Sequence, residues 1–202
     1  QIKTHALADI QKDPALYQFA LAGGRVMFKE NCAACHGTGA QGGRGYPNLN
    51  DDDWLWGGDL AAIYQTLKNG IRSGHPQARD SMMPAFGKDG ILKPEEISSV
   101  ADYVLSLSGG GPASPAGQAL FKQNCASCHG ETGKGNREFG APNLADALWL
   151  YGGDKAGIAQ QITNPRHGVM PAWGERLPDE TLKQLAIYVH SLGGGESAKS
   201  GK

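Results

Sequence analysis

The pentapeptide Cys32-Ala33-Ala34-Cys35-His36 is the most informative part of the chain, and it recurs as Cys125-Ala126-Ser127-Cys128-His129. These two pentapeptides contain all four cysteines of the chain. A Cys-x-x-Cys-His pattern attaches c-type haem: both thiols add to the porphyrin vinyl groups, and the histidine supplies an axial imidazole nitrogen to the iron. A dithiol redox motif needs a βαβ context and no histidine, and a structural zinc site needs four ligands in one cluster. The repeated pattern therefore predicts two covalent haem c groups.

The composition fits small helical lobes that pack around a large apolar group. The 202 residues are 40% hydrophobic and only 7% aromatic, and they include 30 glycines and 11 prolines. A porphyrin supplies apolar volume that such a chain lacks, and the glycines and prolines predict short helices separated by long loops. The formal charge of −1 at pH 7 gives no support to nucleic-acid binding, which favours a basic stripe.

The repeat extends well beyond the haem pentapeptides and keeps its order and spacing. The matching blocks are Phe28-Lys29-Glu30-Asn31 with Phe121-Lys122-Gln123-Asn124, Pro47-Asn48-Leu49 with Pro142-Asn143-Leu144, Trp54-Leu55-Trp56-Gly57-Gly58-Asp59 with Trp149-Leu150-Tyr151-Gly152-Gly153-Asp154, Met83-Pro84-Ala85-Phe86-Gly87 with Met170-Pro171-Ala172-Trp173-Gly174, and Tyr103-Val104-Leu105-Ser106-Leu107 with Tyr188-Val189-His190-Ser191-Leu192. We therefore predict a duplicated domain. The predicted bounds are an N-terminal tail at 1–13, domain 1 at 14–108, a Gly/Pro-rich linker at 109–115, domain 2 at 116–193 and a C-terminal tail at 194–202.

Apolar spacing predicts helices in each repeat. The first helix runs from Pro14 to about Asn31, a middle helix runs from a cap at Asp59 to Gly70, and a terminal helix opens at Pro94. The second repeat follows the same scheme, and Pro178 opens its last helix. Because no convincing alternating strand appears, the predicted fold class is all-α, with a few helices wrapped around one haem in each repeat.

Two methionines are candidates for the second axial ligand of each iron. Met83 and Met170 stand at matched positions in a Met-Pro-Ala-aromatic-Gly motif. A thioether sulfur is a soft ligand that favours ferrous iron. The alternative is that both are core methionines, and Met82 adjoins Met83, but alignment of the repeats selects Met83. The sequence thus predicts low-spin iron held by His36 with Met83 and by His129 with Met170.

The remaining polar residues near these motifs are weaker candidates. A glycine pattern at 37–42 resembles that of dinucleotide-binding folds, but no strand precedes it and a haem histidine adjoins it. The other histidines are expected to be solvated or to contact haem propionates, and so are several loop arginines. These residues are His75, His167, His190, Arg44, Arg72, Arg137 and Arg166.

Each repeat resembles a class I cytochrome c. From about residue 14 to residue 195, the chain resembles the dihaem cytochrome c subunit (FixP/CcoP-like) of the cbb-type haem–copper cytochrome oxidases. The blocks that carry this resemblance are Asp51-Asp52-Asp53-Trp54-Leu55-Trp56-Gly57-Gly58, Ser81-Met82-Met83-Pro84-Ala85-Phe86-Gly87, Ala101-Asp102-Tyr103-Val104-Leu105-Ser106-Leu107-Ser108, Gly140-Ala141-Pro142-Asn143-Leu144, Leu150-Tyr151-Gly152-Gly153-Asp154 and Val169-Met170-Pro171-Ala172-Trp173-Gly174.

The resemblance implies an electron-entry subunit of a terminal oxidase in aerobic or microaerobic respiration, on the periplasmic side of a bacterial inner membrane. Its implied partners are the other oxidase subunits and an electron donor, either a soluble cytochrome c or a cytochrome bc complex. Members of the family carry an N-terminal membrane helix, whereas this sequence has no apolar run of about 18 residues. We therefore expect either that an anchor has been removed or that the chain is a soluble relative.

With both axial positions filled, we expect outer-sphere transfer of single electrons and no catalysis by the chain alone. The alternatives are a free-standing soluble dihaem cytochrome c, the cytochrome portion of a periplasmic dehydrogenase, and a dihaem peroxidase. A peroxidase needs an open iron and a distal acid–base group, and the matched methionines argue against that arrangement.

Overall fold

Helices are the regular elements of this fold. The computed structural model describes residues 2–197, and over that range it contains helices and isolated β-bridges but no strand. The predicted all-α class is confirmed. The helices are α1 Leu7–Lys12, α2 Pro14–Asn31, α3 Ala33–His36, α4 Leu60–Asn69, α5 Pro94–Leu107, α6 Pro115–Asn124, α7 Ala126–His129, α8 Lys155–Thr163 and α9 Asp179–His190.

Local capping signals set the helix ends, as the sequence predicted. The Asp13 carboxylate accepts hydrogen bonds from the first N–H groups of α2, and Asp59 accepts from Ala62 N–H at 2.8 Å at the start of α4. Helix α4 ends at Gly70, whose φ of +74° favours glycine. Ser114 caps α6, so Pro115 belongs to this helix and not to the predicted linker.

The chain folds into two compact units whose bounds differ from those of the sequence repeats. Unit 1 combines Gln1–Asp80 with Gly168–Lys202, and unit 2 is the continuous segment Ser81–His167. The predicted bounds of 14–108 and 116–193 describe the repeats, and the predicted linker at 109–115 lies inside unit 2. The reason is helix pairing: α2 and α4 pack against α9 in unit 1, whereas α6 and α8 pack against α5 in unit 2.

The terminal helix of the first repeat, α5, packs in unit 2, and that of the second repeat, α9, packs in unit 1, so the repeats exchange their terminal helices. Matched glycines and aromatic rings show this exchange at the level of residues. A Cβ atom at Gly24 of α2 would lie 2.3 Å from the backbone oxygen of Gln184 in α9. A Cβ atom at Gly117 of α6 would lie 1.9 Å from the backbone oxygen of Ser99 in α5. Both helix pairs therefore cross closely because glycine has no side chain at the crossing point.

One aromatic pair accompanies each crossing. The rings of Phe28 and Tyr188 have centroids 5.4 Å apart, and those of Tyr103 and Phe121 have centroids 5.2 Å apart. Tilted rings at this separation attract one another. Phe28 and Tyr103 come from the first repeat, whereas Phe121 and Tyr188 come from the second. Each pair thus joins the opening helix of one repeat to the terminal helix of the other.

Both predicted tails contain ordered segments within residues 2–197. Ile2 and Ile10 are only 2% and 0% exposed, and they form a separate apolar cluster of unit 1 with Ala20 and Ile187. This cluster orders α1 on α2 and α9 because it buries aliphatic surface. At the other end, Gly194 accepts a hydrogen bond from Trp54 Nε1 at 2.7 Å. Positions 198–202 of the predicted C-terminal tail lie outside the described residues.

Candidate haem sites

Each cysteine pair lies on one turn of helix at the end of a longer helix. Helix α3 follows α2 directly, and α7 follows α6, with the first cysteine of each motif as the residue between them. Side chains three positions apart lie on the same face of a helix. Cys32 and Cys125 are each 8% exposed, whereas Cys35 is exposed and Cys128 is half-buried. Each motif therefore directs two sulfur atoms to one side, as attachment to a single porphyrin requires.

The raised thiol pKa of Cys32 and Cys125 fits haem attachment better than a role as a redox dithiol or as a zinc ligand. Burial, with a smaller contribution from the neighbouring cysteine, raises the pKa of Cys32 to about 11, and it does the same for Cys125. Redox-active and metal-binding cysteines act as thiolates and lie where the thiol pKa is lowered. The unattached side chains of Cys32 and Cys125 would remain protonated thiols at neutral pH.

The two motif histidines are held in the same way by proline carbonyls. The Nδ1–H of His36 donates to the Pro47 oxygen at 3.1 Å, and the Nδ1–H of His129 donates to the Pro142 oxygen at 3.1 Å. This bond fixes the ring orientation and leaves the Nε2 lone pair for a metal. It also explains why the Pro-Asn-Leu block occurs in both repeats.

The protonation state of these histidines is also that of a metal ligand. Burial lowers the pKa of both His36 and His129 below the usual value, although the bond to the proline carbonyl opposes this effect. Since iron binds neutral imidazole, a lowered pKa keeps the ligand available at neutral pH.

The methionines lie in the units opposite to those that the repeats predicted. Met170 packs, partly buried, against the core cluster of unit 1 that contains Cys32. Met83 packs against the core cluster of unit 2 that contains Cys125. The predicted pairing of His36 with Met83 and of His129 with Met170 is therefore not the arrangement in the structure. The reason is that each methionine loop lies in the same unit as the terminal helix that follows it, and the terminal helices are exchanged between the repeats.

Each unit contains the side chains that a haem c with two axial ligands would need. Unit 1 contains a buried cysteine, a histidine with Nε2 available and the thioether of Met170, and unit 2 contains the same set with Met83. Met82 is 65% exposed, whereas Met83 is half-buried, which favours the residue selected by alignment. The eight predicted residues, Cys32, Cys35, His36, Met83, Cys125, Cys128, His129 and Met170, remain predicted haem contacts.

The other histidines predicted as weaker candidates make local contacts. His75 Nδ1 accepts from Gln77 N–H at 3.0 Å, and the His190 ring Nε2 is 2.8 Å from the Glu196 backbone oxygen. His167 differs from both, because its Nε2 accepts from the backbone N–H of Met83 at 3.0 Å.

Sequence reasoning missed Arg79, which lies in the loop that only the first repeat has. Its Nε donates to Thr66 Oγ1 at 2.9 Å, and its guanidinium lies 5.4 Å from the ring centroid of Trp56. Burial lowers the pKa of Arg79, and the charge of Asp59 partly offsets this. Arg166 lies 5.7 Å from Tyr151, which occupies the position matched to Trp56. The repeated aromatic-Gly-Gly-Asp block could have drawn attention to a cation beside Trp56 and Tyr151. It could not identify Arg79, because Arg79 has no counterpart in the second repeat.

Two helical units, each with a Cys-x-x-Cys-His turn, a histidine held by a proline carbonyl and a methionine packed against the same core, define a tandem c-type cytochrome. The family model for "Cytochrome C oxidase, cbb3-type, subunit III" matches residues 19–104 and 112–189. The chain belongs to this family.

Relatives of known name are similar along almost the whole chain. A "Cbb3-type cytochrome c oxidase subunit FixP" of Bradyrhizobium sp. (strain ORS 278) is 58% identical over 96% of this chain and 69% of its own length. The FixP subunit of Azorhizobium caulinodans is 58% identical over 94% of this chain and 66% of its own length. The CcoP subunit of Azospirillum brasilense is 52% identical over 96% of this chain and 70% of its own length.

The predicted family and function are thus confirmed. The chain is an electron-transfer subunit of a cbb3-type cytochrome c oxidase, and it carries covalent haem c. It is a component of an enzyme complex of bacterial membranes. Over residues 2–197, no helix has both the length and the apolar content needed to cross a membrane.

Proposed function

We propose that the chain binds two haem c groups and transfers single electrons through them by an outer-sphere route, without catalysis of its own. The observation that carries this proposal is the complete donor set of each unit. His36 and Met170 are the proposed axial pair of unit 1, and His129 and Met83 are that of unit 2. The cysteines of each motif hold the corresponding porphyrin.

The chain contributes position, burial and electrostatics to this function. When bound, haem c supplies the iron that accepts and releases the electron. Pro47 and Pro142 orient the two imidazoles through their Nδ1–H groups. A thioether opposite each imidazole favours the reduced state and leaves no position for exogenous ligands. Because the histidines are held by proline carbonyls and the methionines pack against the core clusters, little geometry would need to change with oxidation state.

We also propose Arg79 as a partner of a haem propionate in unit 1. Its guanidinium is half-buried, and within the described residues no carboxylate forms an ion pair with it. A desolvated cation without a paired anion is costly, and a propionate is the anion that haem would bring. Placed there, Arg79 would stabilise the charged propionate.

The proposed partners are the remaining subunits of a membrane haem–copper oxidase and, as electron donor, a soluble cytochrome c or a cytochrome bc complex. The support is the similarity to proteins named as subunits of cbb3-type oxidases. We propose the periplasmic side of the membrane, because c-type haem is attached there in bacteria.

The test of the carrier function is spectroscopy of the haem-loaded protein. We expect two covalent haems per chain, low-spin iron and a methionine-to-iron charge-transfer band in the oxidised form. High-spin iron with rapid turnover of peroxide would contradict the proposal and support a peroxidase. Purification from native membranes tests the proposed partners: a copper-containing oxidase should accompany the chain.

The exchanged axial pairs have a separate test in chains that carry one haem. In a Cys125→Ser, Cys128→Ser background only the first haem is attached. There, Met170→Ala should abolish the methionine-to-iron band, and Met83→Ala should leave it. When Cys32 and Cys35 are replaced instead, only the second haem is attached, and there Met83→Ala should abolish the band and Met170→Ala should leave it. The exchange would be refuted if Met83→Ala abolished the band of the first haem or Met170→Ala that of the second.

A further inference from the structure

The two methionine loops are held by different kinds of bond. In unit 1, Met170 N–H donates to the Ile71 oxygen at 3.0 Å, and Ile71 N–H donates to the Met170 oxygen at 2.9 Å. In unit 2, Met83 N–H donates to Nε2 of the His167 side chain at 3.0 Å. One methionine is thus held by a reciprocal backbone pair, and the other by an imidazole.

The difference follows from the residues after α4 and α8, the middle helices of the two repeats. Alignment of Asn69 with Asn164 places Gly70-Ile71 opposite Pro165-Arg166. Proline has no N–H to donate, and the N–H of Arg166 is already bound to Gln161 Oε1 at 3.0 Å. The segment after α8 therefore cannot repeat the bridge that Ile71 forms, and the next residue along the chain, His167, offers a side-chain acceptor instead.

The direction of the bond fixes the state of the His167 ring. A backbone N–H only donates, so Nε2 of His167 must present its lone pair and the ring proton must be on Nδ1. The imidazole is half-buried and lies in the same compact unit as Met83, the half-buried methionine that packs against the Cys125 cluster. The bond therefore constrains the backbone of the residue whose sulfur is the proposed axial ligand.

We propose that His167 is a positioning residue of the unit 2 haem, which holds Met83 at the iron and so sets the stability of that axial bond and the reduction potential. This inference rests on the proposed function and on the assignment of Met83 to unit 2. It concerns only the haem attached at Cys125 and Cys128. Within residues 2–197 no side chain takes this role for Met170, because Ile71 binds that residue through its backbone.

The experiment compares three variants of the full chain with both haems attached, and each readout is resolved for the second haem by comparison with the parent protein. His167→Phe removes the acceptor but keeps a ring of similar size. His167→Gln keeps an acceptor, Oε1, at a distance along the side chain similar to that of Nε2. His75→Phe is the matched control, because His75 lies in the corresponding loop of the first repeat and contacts Gln77 instead of a methionine. The readouts are the affinity of the oxidised haem for added imidazole, the methionine-to-iron band and the reduction potential.

We expect His167→Phe to raise the affinity for imidazole by roughly 10-fold, since one hydrogen bond that restrains the displaced ligand is lost. The same variant should weaken the methionine-to-iron band and lower the potential, and His167→Gln should restore all three values toward those of the parent. His75→Phe should change none of them. Because folding is scored by helicity and by covalent haem content, a variant that loses its haem is recognised directly.

Two results would overturn the inference while the carrier function stands. One is a His167→Phe protein with two intact axial bonds and the parent affinity for imidazole. The other is an equal loss in His167→Phe and His167→Gln, which would indicate a packing role without the hydrogen bond. A parent protein without any methionine-to-iron band would instead refute the proposed function, and this inference with it.

Discussion

Unit 1 and unit 2 contain the same haem-binding elements but differ in what surrounds them. Unit 1 adds α1 and the cluster around Ile10, which is fully buried. Its C-terminal segment is also fastened, because Gly58 N–H donates to Glu196 Oε2 at 2.8 Å and Glu196 N–H donates to the Gly58 oxygen at 2.9 Å. Among the described residues, unit 2 has a single buried apolar cluster. The repeat thus supplies the haem-binding residues of both units, whereas the flanking segments determine how much additional core each unit has.

The largest expected effect distinguishes the units by removal of their haem. Cys32→Ser with Cys35→Ser should unfold unit 1, and Cys125→Ser with Cys128→Ser should unfold unit 2, because the porphyrin fills each core. Unit 2 should lose more of its helicity, since it has no second apolar cluster. Hydrogen exchange is the measurement: loss of the second haem should expose α5 together with α6 and α8.

Exposure of α9 in place of α5 after loss of the second haem would contradict the exchange. Full helicity of both units without haem would contradict the porphyrin-filled core. The parent protein with both haems attached is the reference for each measurement.

The next effect concerns the two buried phenylalanines at the helix crossings. Phe28 and Phe121 are both 0% exposed. Replacement of either by alanine removes a large apolar side chain from a close-packed core, so each should lower the free energy of unfolding of its unit by about 3–5 kcal/mol. Denaturant unfolding, followed at the haem of each unit, should show Phe28→Ala acting on unit 1 and Phe121→Ala on unit 2. Effects confined to the opposite unit would be incompatible with the packing.

A smaller effect identifies the partner of each phenylalanine. A double-mutant cycle on Phe28 and Tyr188 should give a coupling energy of about 0.5–1.5 kcal/mol, because their rings are in contact. The cycle on Phe28 and Tyr103, the tyrosine of the same repeat, should give about zero. Coupling of Phe28 to Tyr103 would reverse the assignment of terminal helices to units.

The smallest effect comes from the polar contacts between middle and terminal helices. In unit 1, the Tyr64 hydroxyl donates to Asp179 Oδ1, and Lys183 forms an ion pair with Asp179 at 3.0 Å. Burial first, and then the bond to Asp179, raises the pKa of Tyr64 to about 12, while that bond lowers the pKa of Asp179. The stability from Tyr64 is present below its ordinary pKa near 10 and is lost as pH rises through about 12. The stability from Asp179 is present above its ordinary pKa and is lost as pH falls through the lowered value.

Tyr64→Phe should therefore cost about 1 kcal/mol or less at neutral pH, since the contact is exposed, and it should flatten the loss of stability of unit 1 above pH ~10. Thermal unfolding as a function of pH measures this. The matched control is Asp102→Asn, which removes the exposed ion pair of Asp102 with Lys155 at 2.8 Å in unit 2. An unchanged alkaline slope in Tyr64→Phe would show that the hydroxyl does not contribute.

Features that depend on neighbours in the sequence were predictable, and features that depend on the choice of a distant partner were not. The haem turns, the Asp59 cap of α4, the proline that begins α5 and the helix class follow from local residue patterns. The exchange does not, because both repeats present glycine and phenylalanine on the opening helix and tyrosine on the terminal helix. Either pairing satisfies the same pattern. The sequence thus identified the residue types of the site but assigned each methionine to the wrong neighbour.

Two further residues escaped prediction for related reasons. Ile10 was assigned to a tail because its helix is only six residues long, and its burial depends on α2 and α9. His167 lies three residues before Met170 in the sequence, and it was expected to be solvated or to contact a haem propionate. Its contact with Met83 arises only because the loops after α8 and before α5 fold in the same unit.

The bounds of the compact units carry a consequence for the order of folding during synthesis. Unit 2 is one uninterrupted segment, so every residue that it needs has been made once His167 is complete. Unit 1 begins earlier in the chain but lacks α9 until the whole of unit 2 has been made, and its nascent helices must wait without their partner. The later-encoded haem lobe can therefore mature first, which reverses the usual vectorial sequence of domain folding from the N-terminus.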